Sequence, residues 1–171
     1  MASRLSGHFF QHPVLEVAPD LLGKILARRF DDGSVHRYVI TEVEAYNGME
    51  DLACHASKGR TARTEVMFHR GGLVYVYLIY GMYWMLNFVT GNEDEPTAVL
   101  IRGLEGISGP GRVGRVLKLD KSFYGEELAA SNRIWLEDSG NKPGIITTPR
   151  IGIDYAGEPW ISKPWRFVAT K

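Results

Sequence analysis

Two residues separated by a single position, Glu44 and Tyr46, carry the first chemical suggestion in this sequence. They lie in the run Val-Ile-Thr-Glu-Val-Glu-Ala-Tyr, which alternates well enough to be a strand, so both side chains emerge on one face. A carboxylate beside an aromatic wall can orient a water while the ring holds a flat substrate. The plainer reading of this segment alone is a half-exposed strand with surface glutamates. Tyr75, Tyr77 and Tyr80 form a second group, in which the first two share a face and the third falls on the opposite one. Such a split suits one ring that stacks on a nucleobase and another that acts as a wedge, filling the space a flipped nucleotide leaves. Ordinary core packing is the alternative. His55, beside Cys54 and near Glu50 and Asp51, invites a metal-ligand reading. No second histidine stands at a helical spacing and there is no cysteine pair, so His55 is better used as a neutral hydrogen-bonding and stacking group.

One further motif is a decoy. Gly109-Pro110-Gly111-Arg112-Val113-Gly114 matches the dinucleotide fingerprint G-x-G-x-x-G and follows an apolar strand. A dinucleotide fold then needs a second parallel strand, with an acid about 20 residues on. Residues 120–125 break the helix early and the second apolar strand is missing. The segment better suits a helix N-terminus whose Arg112 and Arg115 hold a backbone phosphate.

These groups need a sheet to position them. Residues 36–46 are expected as a strand with Val39, Val43 and Ala45 on one face and Ile40, Glu42, Glu44 and Tyr46 on the other. Residues 73–80, Leu-Val-Tyr-Val-Tyr-Leu-Ile-Tyr, are all β-branched, aromatic or leucine. Gly81 interrupts this strand and residues 83–90 resume it, which predicts a hairpin with Tyr80, Gly81 and Met82 at its tip. Residues 97–104 read as a third apolar strand, and 133–137, 150–154 and 165–169 as short ones. Helices are expected at 19–28, with Pro19 in the first turn, and at 109–119; residues 48–72 read as loop with some helix. No repeat, low-complexity segment or linker divides the chain. Many strands and few helices predict the α+β class: one compact domain over residues 1–171, with a curved, mostly antiparallel sheet, flanking helices and a protruding hairpin.

Composition narrows the class further. A chain of 171 residues, 44% hydrophobic and 23% charged, is long enough for a substantial core and has an ordinary soluble composition. No apolar run approaches the ~18 residues of a membrane span, and the N-terminus lacks a signal-peptide pattern, so a cytoplasmic protein without membrane contact is expected. The single cysteine excludes an internal disulfide framework and a cysteine-based zinc cluster. A net charge of zero argues weakly against a nucleic-acid partner, but the charge is segregated. Lys58, Arg60, Arg63, His69 and Arg70 face only Glu65 in one block, and Arg112, Arg115, Lys118 and Lys121 face only Asp120 in another. Two such blocks can present one cationic face.

The quoted residues also form a pattern. Val43-Glu44-Ala45-Tyr46, Asp51-Leu52-Ala53-Cys54-His55, Arg60-Thr61-Ala62-Arg63 and Val66-Met67-Phe68 resemble the alkyladenine (3-methyladenine) DNA glycosylase family. So do the tyrosine block Tyr75–Tyr83 with Leu86-Asn87, the run Ala98–Arg102, Gly109-Pro110-Gly111, and the ending from Arg150-Ile151-Gly152-Ile153 to Lys163-Pro164. The resemblance covers nearly the whole chain in order and spacing. It implies an enzyme of base excision repair that flips alkylated or deaminated purines out of double-stranded DNA and hydrolyses their N-glycosidic bond. By position, Glu44 matches the water-activating base and Arg102 the arginine that helps hold the water. Tyr46 matches one wall of the base pocket, with His55 and Tyr77 opposite and the His55 backbone amide placed to read the purine edge; Ala53 also lies in the pocket. Asn87 matches the residue that disfavours a guanine amino group. Tyr80, with Met82 beside it, matches the intercalating wedge, while Arg63, Arg112 and Arg115 are placed to meet the DNA backbone. The resemblance further implies a monomer with no metal, no cofactor and no lyase activity, of prokaryotic type, held at the nucleoid by DNA binding. An acidic loop at residues 91–96 is slightly longer than the family pattern. The rival reading is a non-catalytic minor-groove DNA-binding or bending module with the same wedge and basic loops. Pairing Glu44 with Tyr46 disfavours it, because an acid beside phosphates is unwelcome unless needed.

Overall fold

The computed structural model describes residues 2–170. Along them run β1 (Ser3–Arg4), α1 (Val14–Leu21), β2 (Ile25–Arg29), β3 (Val35–Asn47), β4 (Val74–Ile79), β5 (Tyr83–Thr90), β6 (Thr97–Leu104), β7 (Ile107–Ser108), α2 (Pro110–Val116), β8 (Ile134–Asp138), β9 (Ile145–Thr148) and β10 (Arg166–Ala169). Single-turn 3-10 helices interrupt the loops, among them His55–Lys58, Glu65–Phe68 and Asp154–Ala156. The strands make one sheet in the order β1-β8-β2-β3-β6-β5-β4, with β10 beside β3 and β9, and β7 beside β6. All pairings are antiparallel. The α+β class and mostly antiparallel sheet expected from the sequence are the ones observed. Among the described residues no helix is long and apolar enough to cross a membrane.

The hub is β3. Its first half pairs with β2, and its second half lies between β6 and β10, so Glu44 is opposite Leu100 on one side and Arg166 on the other. Between Ile40 and Val43 the ladder is irregular, with two register shifts that cancel, so that Ile40 faces Leu104 and Val43 faces Ile101. This corrects one expected face: Ile40 is fully buried in the main core with Val43 and Ala45, not on the side of Glu42, Glu44 and Tyr46. An irregularity that puts residues three apart on one face breaks the period of two, so strict alternation assigns Ile40 to the wrong side.

Two other expectations fail for identifiable reasons. Residues 19–28 are not a helix: α1 ends at Leu21, Leu22 is extended, Gly23 has φ +88°, and β2 then pairs with β3 and β8. Pro19 therefore lies in the last turn of a helix, not the first. The apolar spacing of Leu21, Leu22 and Leu26 is real, since all three are buried, but it arises from a helix end and a strand feeding one core. Residues 150–154 are not a strand: Ile151 and Gly152 are bends and Asp154 opens a 3-10 turn. The Ile151 amide there bonds to the Glu44 carboxylate, not to a neighbouring strand.

The hairpin β4–β5 closes through Tyr80 and Gly81, both at positive φ (+54° and +66°), as a type I′ turn requires. The Met82 amide donates to the Ile79 carbonyl at 3.1 Å. Helix α2 lies along β5 and β6. Its closest approach is at Gly114, where a Cβ would stand 1.9 Å from the Trp84 carbonyl oxygen. Gly114→Ala must therefore push the helix off the hairpin, and should lower the unfolding free energy by about 1–3 kcal/mol, the usual cost of overpacking. Urea denaturation measures this; an unchanged midpoint would show that α2 is free to move.

Candidate active site

Glu44 is fully buried on the second half of β3. The Tyr46 hydroxyl donates to its Oε1 at 2.8 Å, and the Ile151 amide donates to its Oε2 at 2.7 Å. The guanidinium Nη1 of Arg102, on β6, stands 3.6 Å from Oε1. Burial raises the pKa of this carboxyl, while the Arg102 charge, the Ile151 amide and the Tyr46 phenol oppose that rise. Arg102 is itself held by Glu42, whose Oε2 lies 3.3 Å from Arg102 Nε and 2.6 Å from Arg166 Nε. Tyr46, Leu100, Arg102 and Ile151, which surround the carboxylate, line an open cleft of about 800 Å³.

Below that cleft is a smaller aromatic recess walled by Tyr46, Ala53, Cys54, His55, Tyr77 and Tyr155, with Met67, Tyr75, Asn87 and Ala98 as its inner lining. His55 and Tyr77 pack edge to face, with centroids 4.4 Å apart. His55 Nδ1 is 2.9 Å from the Tyr75 hydroxyl. Burial, reinforced by Arg63 and Lys58, pushes the His55 imidazole down to about 4, so the ring is neutral at physiological pH. Burial also pushes the Cys54 thiol up to about 11, which leaves it a small protonated hydrophobe. Asn87 is buried, its Nδ2 donating to the Tyr75 carbonyl at 3.2 Å.

A buried ion pair holds these walls. Arg150 Nη1 and Nη2 meet the two oxygens of Asp51 at 2.6 and 3.0 Å, and both side chains are completely out of solvent. Asp51 also accepts from the amides of Asn47 (2.9 Å) and Ala53 (3.1 Å). Arg150 also donates to the Ala45 carbonyl at 3.1 Å, and the rings of Tyr46 and Trp165 lie 5.1 and 5.0 Å from its guanidinium carbon. Asp51, one of the residues considered around a His55 metal site, is thus committed to an arginine. Among the described residues no group of three His, Cys, Asp or Glu is placed to hold a metal ion.

The structure therefore brings Arg102, Tyr46, Ala53, His55, Tyr77 and Asn87 to one cleft and its recess, with Glu44 fully buried against Tyr46 and Arg102 and itself in neither lining. Tyr80 and Arg63 stand on the rim. Tyr80 is 83% exposed and Met82 59% exposed at the hairpin tip. The Arg63 guanidinium lies 5.1 Å from the Tyr77 ring centre. Arg112 and Arg115 are exposed on α2, outside the cleft, with Arg115 5.7 Å from the Tyr83 ring. Sequence reasoning missed Asp51 and Arg150 as partners, the Ile151 amide and Tyr155. The first two are 99 positions apart, and no local pattern links such residues.

The family model described as Methylpurine-DNA glycosylase (MPG) matches the chain over residues 8–107 and 105–171. Proteins of Methanocella arvoryzae (44% identical, covering 93% of this chain and 88% of the relative), Wolbachia pipientis wMel (46%, covering 95% and 89%) and Psychrobacter cryohalolentis (39%, covering 96% and 90%) are similar to it. All three bear the name "Putative 3-methyladenine DNA glycosylase". These matches define the class, a DNA-repair enzyme that hydrolyses N-glycosyl bonds, and set aside the non-catalytic reading. The chain belongs to the methylpurine-DNA glycosylase family.

Asp51→Asn keeps the shape of the side chain and removes its charge, stranding the Arg150 guanidinium in a dry site. Stability should fall by about 3–5 kcal/mol, as when one partner of a buried pair is removed. Chemical denaturation tests this; a loss under about 1 kcal/mol would place the pair with ordinary surface bridges.

Proposed function

We propose that this chain flips alkylated or deaminated purines (methyladenine, methylguanine, hypoxanthine, ethenoadenine) out of duplex DNA and hydrolyses their N-glycosidic bond with a water activated by Glu44. The observation that carries this reading is the buried Glu44 carboxylate, with Arg102 and the Tyr46 hydroxyl on the same oxygen, beside an aromatic recess. Stacking between Tyr46 and the His55–Tyr77 wall contributes about 1–3 kcal/mol per ring toward the few kcal/mol that unstacking a base costs. A purine methylated on N3 or N7 is cationic, which makes it a good leaving group and a good partner for electron-rich rings.

In the reaction the water oxygen forms a bond to the anomeric carbon while the carbon–nitrogen bond breaks. With a cationic alkylated purine the bonding pair leaves with the base and neutralises its positive charge; with a neutral purine such as hypoxanthine the departing base takes up a proton from solvent; in both, the water proton passes to Glu44. The carboxylate also stabilises oxocarbenium character in the sugar. Asn87, buried beside Tyr75, crowds the recess against a 2-amino group. Arg63, Arg112 and Arg115 hold phosphates, and Tyr80, with Met82, takes the extruded nucleotide's place. Every group invoked comes from one chain, so a monomer suffices, held on the nucleoid of a prokaryotic cytoplasm by its DNA affinity.

Glu44→Gln should retain binding to lesion DNA and lose excision by about 10²-fold or more. The wild-type rate should also decline on acidification at a higher pH than an ordinary carboxylate would give, because burial raises the Glu44 pKa and only the ionised form is a base. Single-turnover base release across pH measures both; near-full activity of the variant would remove Glu44 from the chemistry.

Tyr80→Ala tests the wedge separately. An exposed tyrosine at φ +54° adds nothing to the core. Stability should therefore change by less than about 0.5 kcal/mol, far below the ~3–5 kcal/mol of a core aromatic. Lesion affinity and excision should fall together, and less so opposite a mismatch, where unstacking is cheap. Equal losses on paired and mismatched substrates would make Tyr80 a contact residue rather than a plug.

A further inference from the structure

Arg166, on β10, and Glu42, on β3, line neither the cleft nor the recess, yet Arg166 Nε donates to Glu42 Oε2 at 2.6 Å on the strand pair that carries Glu44. We infer that Arg166 is a positioning residue: by holding Glu42, it leaves the Arg102 guanidinium free to serve Glu44. The inference rests on the reading of Glu44 as the water-activating group and extends it to the residues behind Arg102.

The ladder sets Arg166 opposite Glu44 and Val168 opposite Glu42. The Arg166 guanidinium therefore reaches diagonally, past the nearer acid, to bond the farther one. The nearer acid is already held, by the Tyr46 hydroxyl on one oxygen and the Ile151 amide on the other. Oε2 of Glu42 receives the Arg102 Nε as well, at the longer distance of 3.3 Å, while Arg102 Nη1 stands 3.6 Å from Glu44 Oε1. Glu42 is seated from the β6 side by Gly103, its partner in the ladder. A Cβ at Gly103 would stand 3.1 Å from the Glu42 Cβ and 3.6 Å from its Oε1, so a side chain there would crowd the carboxylate. Side-chain exposures of 22% for Arg166, 16% for Glu42 and 15% for Arg102 leave little solvent to screen the four charges from one another.

The charge count decides the outcome. Two acids share two arginines, and the shorter bond from Arg166 satisfies Glu42. Without Arg166, Glu42 and Glu44 compete for one guanidinium. Burial raises the Glu44 pKa, and Arg102 is the strongest of the groups that oppose that rise. Drawing Arg102 toward Glu42 raises the pKa further, so the ionised form is lost at a higher pH on acidification. Other groups face Glu44 without confusing this readout. Burial raises the phenols of Tyr46, Tyr77 and Tyr155, which stay neutral, and Arg150 is bound to Asp51. Burial pushes His55, in the adjoining recess, down to about 4.

The test is single-turnover release of 3-methyladenine from methylated duplex DNA across pH. A cationic nucleobase leaves without taking up a proton, so the acid limb of the profile reports Glu44. In Arg166→Met that limb should move up by about one pH unit, with a roughly tenfold lower rate below its midpoint. Arg166→Lys keeps a cation against Glu42 and should restore the limb to within about 0.3 unit of wild type. In a Glu42→Gln background, Arg166→Met should not move the limb, because the effect passes through Glu42. If Arg166→Met does not fold, Arg166→Gln, also uncharged, takes its place in both backgrounds. A limb that superposes on wild type overturns the inference. An equal shift in the Glu42→Gln background also overturns it, because Arg166 would then act on Glu44 directly. So does a fall by one factor at every pH, matched by weaker binding to a duplex carrying a tetrahydrofuran abasic analogue, which makes Arg166 a DNA contact. All three outcomes leave the excision reading standing. If wild type releases no methylated base, or Glu44→Gln stays active, that reading fails, and this inference with it.

Discussion

The site depends on the ion pair between Asp51 and Arg150. Both charges are wholly removed from water, which costs several kcal/mol per ion before their attraction is counted. The geometry offsets that cost through a two-point contact, two amides on Asp51, the Ala45 carbonyl on Arg150 and aromatic rings near the guanidinium. Replacing such a pair with apolar residues is often neutral for stability. Its value here is positional, because it ties together three stretches: the end of β3, the loop carrying Ala53 and His55, and the C-terminal segment around Ile151. Once Arg150 is anchored, the next residue delivers its amide to Glu44, and four residues later the chain places Tyr155 against Ala53.

Opposing effects act on the Glu44 carboxyl. Burial alone would favour its protonated form, whereas Arg102, the Ile151 amide and the Tyr46 phenol favour the charge. Arg102 can serve Glu44 only if its other partner does not claim it outright. Glu42 touches Arg102 through Nε and takes a shorter bond from Arg166, a residue that β10 places across from Glu44. The third strand therefore contributes a charge as well as a ladder: Arg166 shares Glu42 and leaves Arg102 Nη1 directed at Glu44. This explains why a carboxylate is buried at the meeting of three strands, where an apolar side chain would pack more simply.

What was legible in the sequence is what local periodicity controls. The strands at 83–90 and 97–104, the hairpin tip at Tyr80-Gly81-Met82 and the shared face of Glu44 and Tyr46 all follow from a period of two punctuated by glycine. The irregularity after Ile40 has no signature in residues 40–43 and shows only in their pairing with β6. The supposed helix at 19–28 shows the reverse, since its apolar spacing fits two structures and only contact with β3 and β8 selects the strand. Residues 150–154 read as a short strand, yet Ile151 and Tyr155 are held at the site by bonds to residues about a hundred positions away, which no local pattern signals.

The same long-range arrangement bears on how a neutral recess coexists with a cationic rim. A DNA-binding cleft needs positive charge, and Lys58 and Arg63 line this one. A purine methylated on N3 or N7 is also positive, so a protonated histidine in the slot would repel the substrate proposed for it. Burial is the largest influence holding His55 neutral, and Arg63 and Lys58 act in the same direction. The cations placed to attract phosphate thus help to keep the imidazole uncharged, and charge at the rim favours its absence a few ångströms deeper. Protonating His55 would also alter its contact with the Tyr75 hydroxyl, which could then only accept from Nδ1, so the hydrogen bond and the electrostatics at this wall are coupled.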